Sequence, residues 1–149
     1  SIWAYANFPD SSLSDIYPGA PGDAFLNINS EANALPSYSP GSAGWFLMLH
    51  ELGHALGLKH PHDDGGTGSP TSAELGLGFF DADWASVMSY EDDYNFNFTD
   101  FDPATPMIMD VLGLQYIYGA NGETNAGDNV HELSGTNSYS TIWDAGVSA

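Results

Sequence analysis

HELGHALGLKHP, residues 50–61, is the stretch on which the reading of this chain turns. His50 and His54 stand four residues apart, so on a helix both imidazoles leave one face toward a single point. Two nitrogen ligands make a loose site. Zinc takes about four ligands in a tetrahedron, and a catalytic site draws three from protein and leaves one position for water. His60 supplies the third. It lies six residues beyond His54, too far round to share that face on a continuing helix. Gly57, however, can adopt the backbone conformation that turns the chain back, and Pro61 bars helical continuation at His60. Glu51, next to His50, is angled at the water position and not into the ligand set, which makes it the candidate general base. A metal lowers the pKa of its bound water to about 7 in favourable sites, so peptide hydrolysis is the natural reaction of such a set. A lone histidine in an apolar helix is usually a core or surface residue, and HExxH occurs by accident. The whole pattern of fixed, mostly rare residues recurs by chance on the order of once in 10⁵ chains of this size.

Working outward, residues 43–58 (AGWFLMLHELGHALGL) are a mostly apolar segment of helical length and predict a buried helix. Residues 3–8 alternate small and aromatic side chains and stop at Pro9-Asp10. Residues 24–29 (AFLNIN) alternate apolar and polar after the turn signals Pro18-Gly19 and Pro21-Gly22-Asp23. Both read as short strands able to pair. Residues 63–71 are a Gly/Asp/Pro-rich loop, and residues 79–102, aromatic and acidic, keep no sustained period and read as irregular loop. Thr105 is a candidate N-cap with Pro106 at the first helical position. MIMDVLGLQYIY then carries apolar residues at helical spacing and Gly119 supplies the stop, which predicts a second helix over 106–118. Residues 120–149 change to Asn, Gly, Ser and Thr with short β-prone pieces, the texture of a linker into a second, β-rich module.

At 149 residues, with 42% apolar and 13% aromatic content, the chain can build one core. One Lys/Arg against 20 Asp/Glu gives a formal charge of −19, which repels phosphate backbones and anionic head groups. Nucleic acid and membrane surfaces are therefore excluded as expected partners. Carboxylates mixed with Asn and Gly are also the hard oxygen ligands that calcium selects, although a merely solvated acidic surface accounts for them too. The absence of cysteine excludes a disulfide framework and thiolate-bound zinc without fixing a compartment. No run approaches the ~18 apolar residues of a membrane span, and SIWAYANFPD lacks the charged-then-apolar plan of a signal peptide, so any targeting signal is expected outside this chain.

The string HELGHALGLKHP resembles the metzincin signature HExxHxxGxxH, and Pro61 directly after the third histidine is the variant seen in serralysins. Ser86-Val87-Met88-Ser89-Tyr90 is similar to the serralysin Met-turn. By that resemblance Met88 is the floor beneath the zinc ligands, and Tyr90 is an extra zinc ligand that swings off to hydrogen-bond the tetrahedral intermediate, a role a phenol can fill. TPMIMDVLGLQYIYGAN is similar to the segment that closes the serralysin catalytic domain, and Asp110 matches an acid that buttresses the Met-turn. Residues 3–8 look like the edge strand that pairs with substrate through main-chain hydrogen bonds, with residues 4–7 in contact, and GDAFLNIN like the strand after it. The tail, including Gly127-Asp128 and Trp143-Asp144-Ala145-Gly146, looks like the start of a calcium-binding β-roll. No GGxGxDxxx repeat is present, and Asp128 and Asp144 are the candidate calcium ligands. His62 and His131 are read as solvent-facing, since three ligands plus water complete a catalytic zinc.

The resemblance implies an α+β fold: a metzincin, zincin-like catalytic domain with a mixed twisted sheet over residues 1–119, holding the active-site helix 43–58, the Met-turn 86–90 and the closing helix 106–118. A linker and the start of an RTX-like β-roll follow over 120–149. The family's first helix and strands would precede Ser1, so the chain is expected to be a fragment. The implied activity is that of a secreted, extracellular bacterial zinc endopeptidase acting on proteins or peptides, with Zn2+ and Ca2+ as cofactors. A proteinaceous inhibitor and the remainder of the same protein are the further partners implied. Two other readings stay open: a metal-holding piece without turnover, and a calcium-binding interaction module. Chelator-sensitive cleavage of casein separates the first from a protease, and dialysis against each metal separates the second.

Overall fold

The computed structural model describes residues 4–6, 24–26, 37–66, 68–91, 102–132, 138 and 140–146. Along the chain run β1 (Ala4–Ala6), β2 (Ala24–Leu26), α1 (Ala43–Ala55), a single 3₁₀ turn (Gly78–Phe80) and α2 (Ile108–Tyr118). The two alternating segments do pair. β1 and β2 run antiparallel with Ala4 opposite Leu26, Tyr5 opposite Phe25 and Ala6 opposite Ala24. Residues 3, 7, 8 and 27–29 of the two expected strands lie outside the described residues. Helix α1 packs on both strands.

Ser42 begins α1 from an extended conformation, its hydroxyl accepting from the Trp45 amide and donating to the Ser39 carbonyl at 2.7 Å. One of the otherwise orphaned amides of the first turn is thereby satisfied. The helix stops at Ala55, three residues before the expected end at 58, and the reason is local. Gly57 sits at φ 96°, its amide donating to His54 O at 2.9 Å while the Leu58 amide donates back to Gly53 O at 2.9 Å. That pair of bonds is the glycine-terminated Schellman stop, and residue 57 must tolerate the left-handed region to form it.

The second helix differs from expectation at its start. It begins at Ile108 and not at Pro106, with Met107 in the cap position. Thr105 does not cap it: its hydroxyl donates to Pro106 O at 3.0 Å and accepts the Thr141 amide at 2.9 Å. Capping comes from inside the helix, where the carboxylate of Asp110 accepts the Met107 amide at 2.7 Å. An acid in the first turn also complements the positive end of the helix dipole. Gly119 ends α2 at φ 85° as the sequence suggests.

Val87, Met88 and Met107 form the buried core, flanked by Phe46 and Leu49 of α1 and by Leu58. Gly113 of α2 lets that helix close on Leu58, since a Cβ there would meet the Leu58 side chain at 2.9 Å. Further ties join distant elements: Trp45 Nε1 donates to Ala104 O at 2.9 Å and the Tyr118 hydroxyl to Leu56 O at 3.0 Å. Helix α1 is not buried all round among the described residues, because Leu52 is 44% exposed. Among them the tail contains turns and bends without a strand, held by Ala145 N to Thr124 O, Asn125 Nδ2 to Trp143 O and Trp143 Nε1 to Asn121 O. Among the described residues no helix is long and apolar enough to cross a membrane.

Candidate metal centre

The turn of α1 that carries His50 and His54 faces the loop that returns at His60, and the three imidazoles meet. His60 Nε2 lies 3.2 Å from His50 Nε2 and 3.0 Å from His54 Nε2. Each ring is held from behind through its other nitrogen. His50 Nδ1 lies 2.8 Å from the Val87 carbonyl, His54 Nδ1 2.9 Å from the Leu58 carbonyl, and His60 Nδ1 2.6 Å from the Asp63 carboxylate. All three partners are acceptors, so each Nδ1 carries the proton and each Nε2 presents a lone pair. Three lone pairs aimed at one another repel unless a cation stands among them. Tetrahedral ligation at about 2.0–2.1 Å separates ligand nitrogens by roughly 3.3–3.4 Å, close to the distances found, and imidazole nitrogen is a favoured zinc donor. The residues present therefore fit a divalent metal of that kind.

Electrostatics agree with neutral rings. Burial, joined by the neighbouring imidazoles, pushes the His50 pKa down to about 4 against the pull of the Val87 carbonyl. Burial likewise lowers His60, although Asp63 works the other way. Neutral imidazoles are the ligating form, so neither ring needs to lose a proton to bind metal at pH 7.

Met88 is 1% exposed and its sulfur abuts Gly53 of the active-site helix, where any Cβ would collide with it. Glycine at the fourth position of HELGH is thus a packing requirement. Tyr90 stands over the rings, its centroid 4.5 Å from that of His60 and 5.3 Å from that of His50. It is 65% exposed. Burial of the hydroxyl and the charges of Glu51 and Asp63 raise its pKa. Glu51 is itself buried, 7% exposed, and burial raises its pKa above the ordinary glutamate value.

Asp110, 2% exposed, accepts from Ser86 Oγ at 2.7 Å, the Val87 amide at 2.8 Å and the Met107 amide at 2.7 Å. One carboxylate therefore joins the start of α2 to the turn whose Val87 carbonyl orients His50. Burial raises its pKa, and the three donors pull it back.

No protein-family model matches the chain. Individual relatives do. It is 32% identical to the serralysin of Proteus mirabilis over 82% of this chain and 28% of the relative. It is 32% identical to serralysin A of Dickeya chrysanthemi over 96% of this chain and 31% of the relative. Metalloprotease AprA of Pseudomonas entomophila (strain L48) matches at 33% identity over 84% of this chain and 30% of the relative. This is a serralysin-type chain. It spans under a third of the length of the serralysins it matches, and the likeness implies a metzincin fold.

Asp63 is the residue of this candidate centre that motif reading passed over. Three residues after His60, it holds that imidazole by its far nitrogen, the carboxylate–histidine arrangement that fixes tautomer and orientation in metal sites. Burial works against its charge, but the bonds from His60 and from the Gly65 amide hold its carboxyl below the ordinary range. An acid at that spacing in a glycine-rich turn was the available signal. His62, expected to face solvent, is exposed but also stacks on His60 at 5.1 Å between centroids and lies 3.7 Å from Asp81. His131 is exposed and bonded to Asp144 at 2.7 Å. Asp144 also accepts the Gly146 amide at 2.7 Å, while the Gly127 amide donates to Gly146 O. Asp128 is exposed in that same turn region.

Proposed function

We propose that the chain is the zinc-binding part of a secreted, extracellular bacterial endopeptidase that hydrolyses peptide bonds of proteins. The observation that carries this reading is the convergence of the Nε2 atoms of His50, His54 and His60, each backed by an acceptor on Nδ1. Bound zinc would supply a Lewis acid and a water of lowered pKa. Glu51 takes the proton of the attacking water and passes it to the leaving amine, and its raised pKa makes it a better base than an exposed glutamate. Tyr90 would be an additional residue able to hold the zinc. Its raised pKa keeps the free phenol protonated, so it can donate to the oxygen that gains charge as the carbonyl is attacked. Met88 and Asp110 keep the floor and the His50 carbonyl partner in place, and Gly57 returns the chain to His60.

Substrate would add a strand along β1, reading main chain more than side chains. Residues 1–119 would belong to the metzincin catalytic domain and residues 120–149 to the linker and the start of a β-roll. Calcium would sit near Asp144 and Asp128, competing with His131 for the Asp144 carboxylate. The remainder of the parent protein and a proteinaceous inhibitor are the further proposed partners.

The test is Glu51→Gln in the zinc-loaded protein. Metal analysis should find zinc retained while cleavage of casein falls by about 10²–10⁴-fold. Activity at the wild-type level in that variant refutes the mechanism, and zinc retained by His54→Ala refutes the ligand set.

A further inference from the structure

We propose that His62 is a positioning residue whose imidazole walls in the ring of Tyr90 beside the metal-binding histidines, an inference that rests on the role given to Tyr90 above. Tyr90 is 65% exposed, so burial in the core does not fix its ring. Neighbouring rings do that instead. Among the described residues the phenol meets three imidazoles: His50 at 5.3 Å between centroids and 17° between planes, His60 at 4.5 Å and 46°, and His62 at 5.1 Å and 43°. His50 and His60 belong to the converging set and are anchored there by their own acceptors. His62 is not one of the three whose Nε2 atoms meet. It lies parallel to His60, with 6° between planes and 5.1 Å between centroids, so Tyr90 leans on both rings at nearly the same tilt. Aromatic contacts of this kind contribute beyond the area they bury.

The chain holds His62 at both ends of that arrangement. Proline fixes the backbone at residue 61, and the Pro61 carbonyl accepts the Ser72 amide at 2.7 Å. On the other side, His62 Nδ1 lies 3.7 Å from Asp81 Oδ1, and the same oxygen accepts the Ser89 hydroxyl at 2.7 Å. One carboxylate oxygen therefore stands between His62 and the residue that precedes Tyr90. Ser89, 1% exposed, also accepts the Glu91 amide at 3.0 Å, which holds the chain on either side of Tyr90. With that backbone held, the choice among side-chain rotamers falls to the rings packed against the phenol. Loss of the His62 ring widens the choice, because hydrogen bonds keep His50 and His60 from closing the gap.

Copper(II), which imidazole sites accept, reports the phenol directly when it replaces zinc, since a bound phenolate gives a visible charge-transfer band. His62→Ala should keep its copper while the ratio of bound to free phenol falls about two- to ten-fold, the factor one aromatic pair supplies. In the zinc-loaded variant kcat should fall by a similar factor at unchanged KM. His62→Phe, which retains a flat ring, should restore both readings. An unchanged band in His62→Ala, or equal losses in the alanine and phenylalanine variants, overturns this inference alone. Loss of copper from His62→Ala overturns it too, by making His62 a ligand. Absence of the band in the wild-type protein removes the metal-holding role of Tyr90 and this inference with it, and leaves the histidine set standing.

Discussion

Asp110→Ala is the substitution whose cost the structure lets us work out most fully. Removing the carboxylate strands three donors at a position 2% exposed: Ser86 Oγ and the amides of Val87 and Met107. The hydroxyl can rotate to another acceptor, but the two amides cannot, and each buried unpaired donor costs about 1–3 kcal/mol. Part of this is offset, because burial raises the Asp110 pKa and the charge itself carries a desolvation cost that its removal returns. A net loss of about 3 kcal/mol is expected, in line with breaking other buried polar networks. For a domain of this size that lowers Tm by about 10 °C.

Asp110→Asn makes the argument specific. Its carbonyl oxygen can still accept both amides, and its NH2 can donate to Ser86 Oγ, so the cost should be about 1 kcal/mol or less. The folded-state pKa of Asp110 lies above its unfolded value, so wild type is stabilised relative to Asp110→Asn at pH below about 4. That advantage should shrink as pH rises through the folded pKa. Urea and thermal unfolding of zinc-free protein measure both variants. A melting point within about 2 °C of wild type for Asp110→Ala, or equal damage from alanine and asparagine, refutes the account.

Two further outcomes follow from the same geometry. Asp63→Ala removes the carboxylate behind His60 Nδ1 and should weaken zinc binding by about 10–100-fold in a competition titration with a chelator, with unfolding in the metal-free form little changed because Asp63 is exposed on one side; unchanged zinc affinity would refute its supporting role. In the metal-free protein the pKa of His50 is pushed down to about 4 from the ordinary 6.5, so the folded state resists a proton that the unfolded chain accepts. Stability is then complete above about pH 6.5, falls by on the order of 3 kcal/mol as pH drops toward 4, and levels off below. His50→Ala should flatten that slope in pH-dependent urea melts.

Several elements of this chain are legible one residue at a time because their causes are local. Helical spacing sets His50 and His54 on one face, Gly57 can take the left-handed turn, and Pro61 cannot continue a helix; each is a steric property of a few neighbouring residues. The alternation of residues 3–8 and 24–29 marked two strands able to pair, and residues 4–6 and 24–26 do pair, although the register was not legible. Where local rules compete, local signals do not fix the outcome. Thr105 and Pro106 are the ordinary signals of a helix start, yet α2 begins at Ile108, because Asp110 had already taken the Met107 amide and Thr105 was engaged by Thr141 across the chain.

What tertiary structure alone decided is which distant groups stand behind the imidazoles. Nothing near His50 in sequence says that the Val87 carbonyl will fix its tautomer or that the Met88 sulfur will press on Gly53, and Asp110 was expected at the turn from the resemblance and not from any local rule. Spacing determined which side chains could converge. Packing determined that their outer nitrogens would all meet acceptors and their inner lone pairs would face one point, since hydrogen-bond partners thirty-seven residues apart are chosen by how the core closes and not by any local conformational preference.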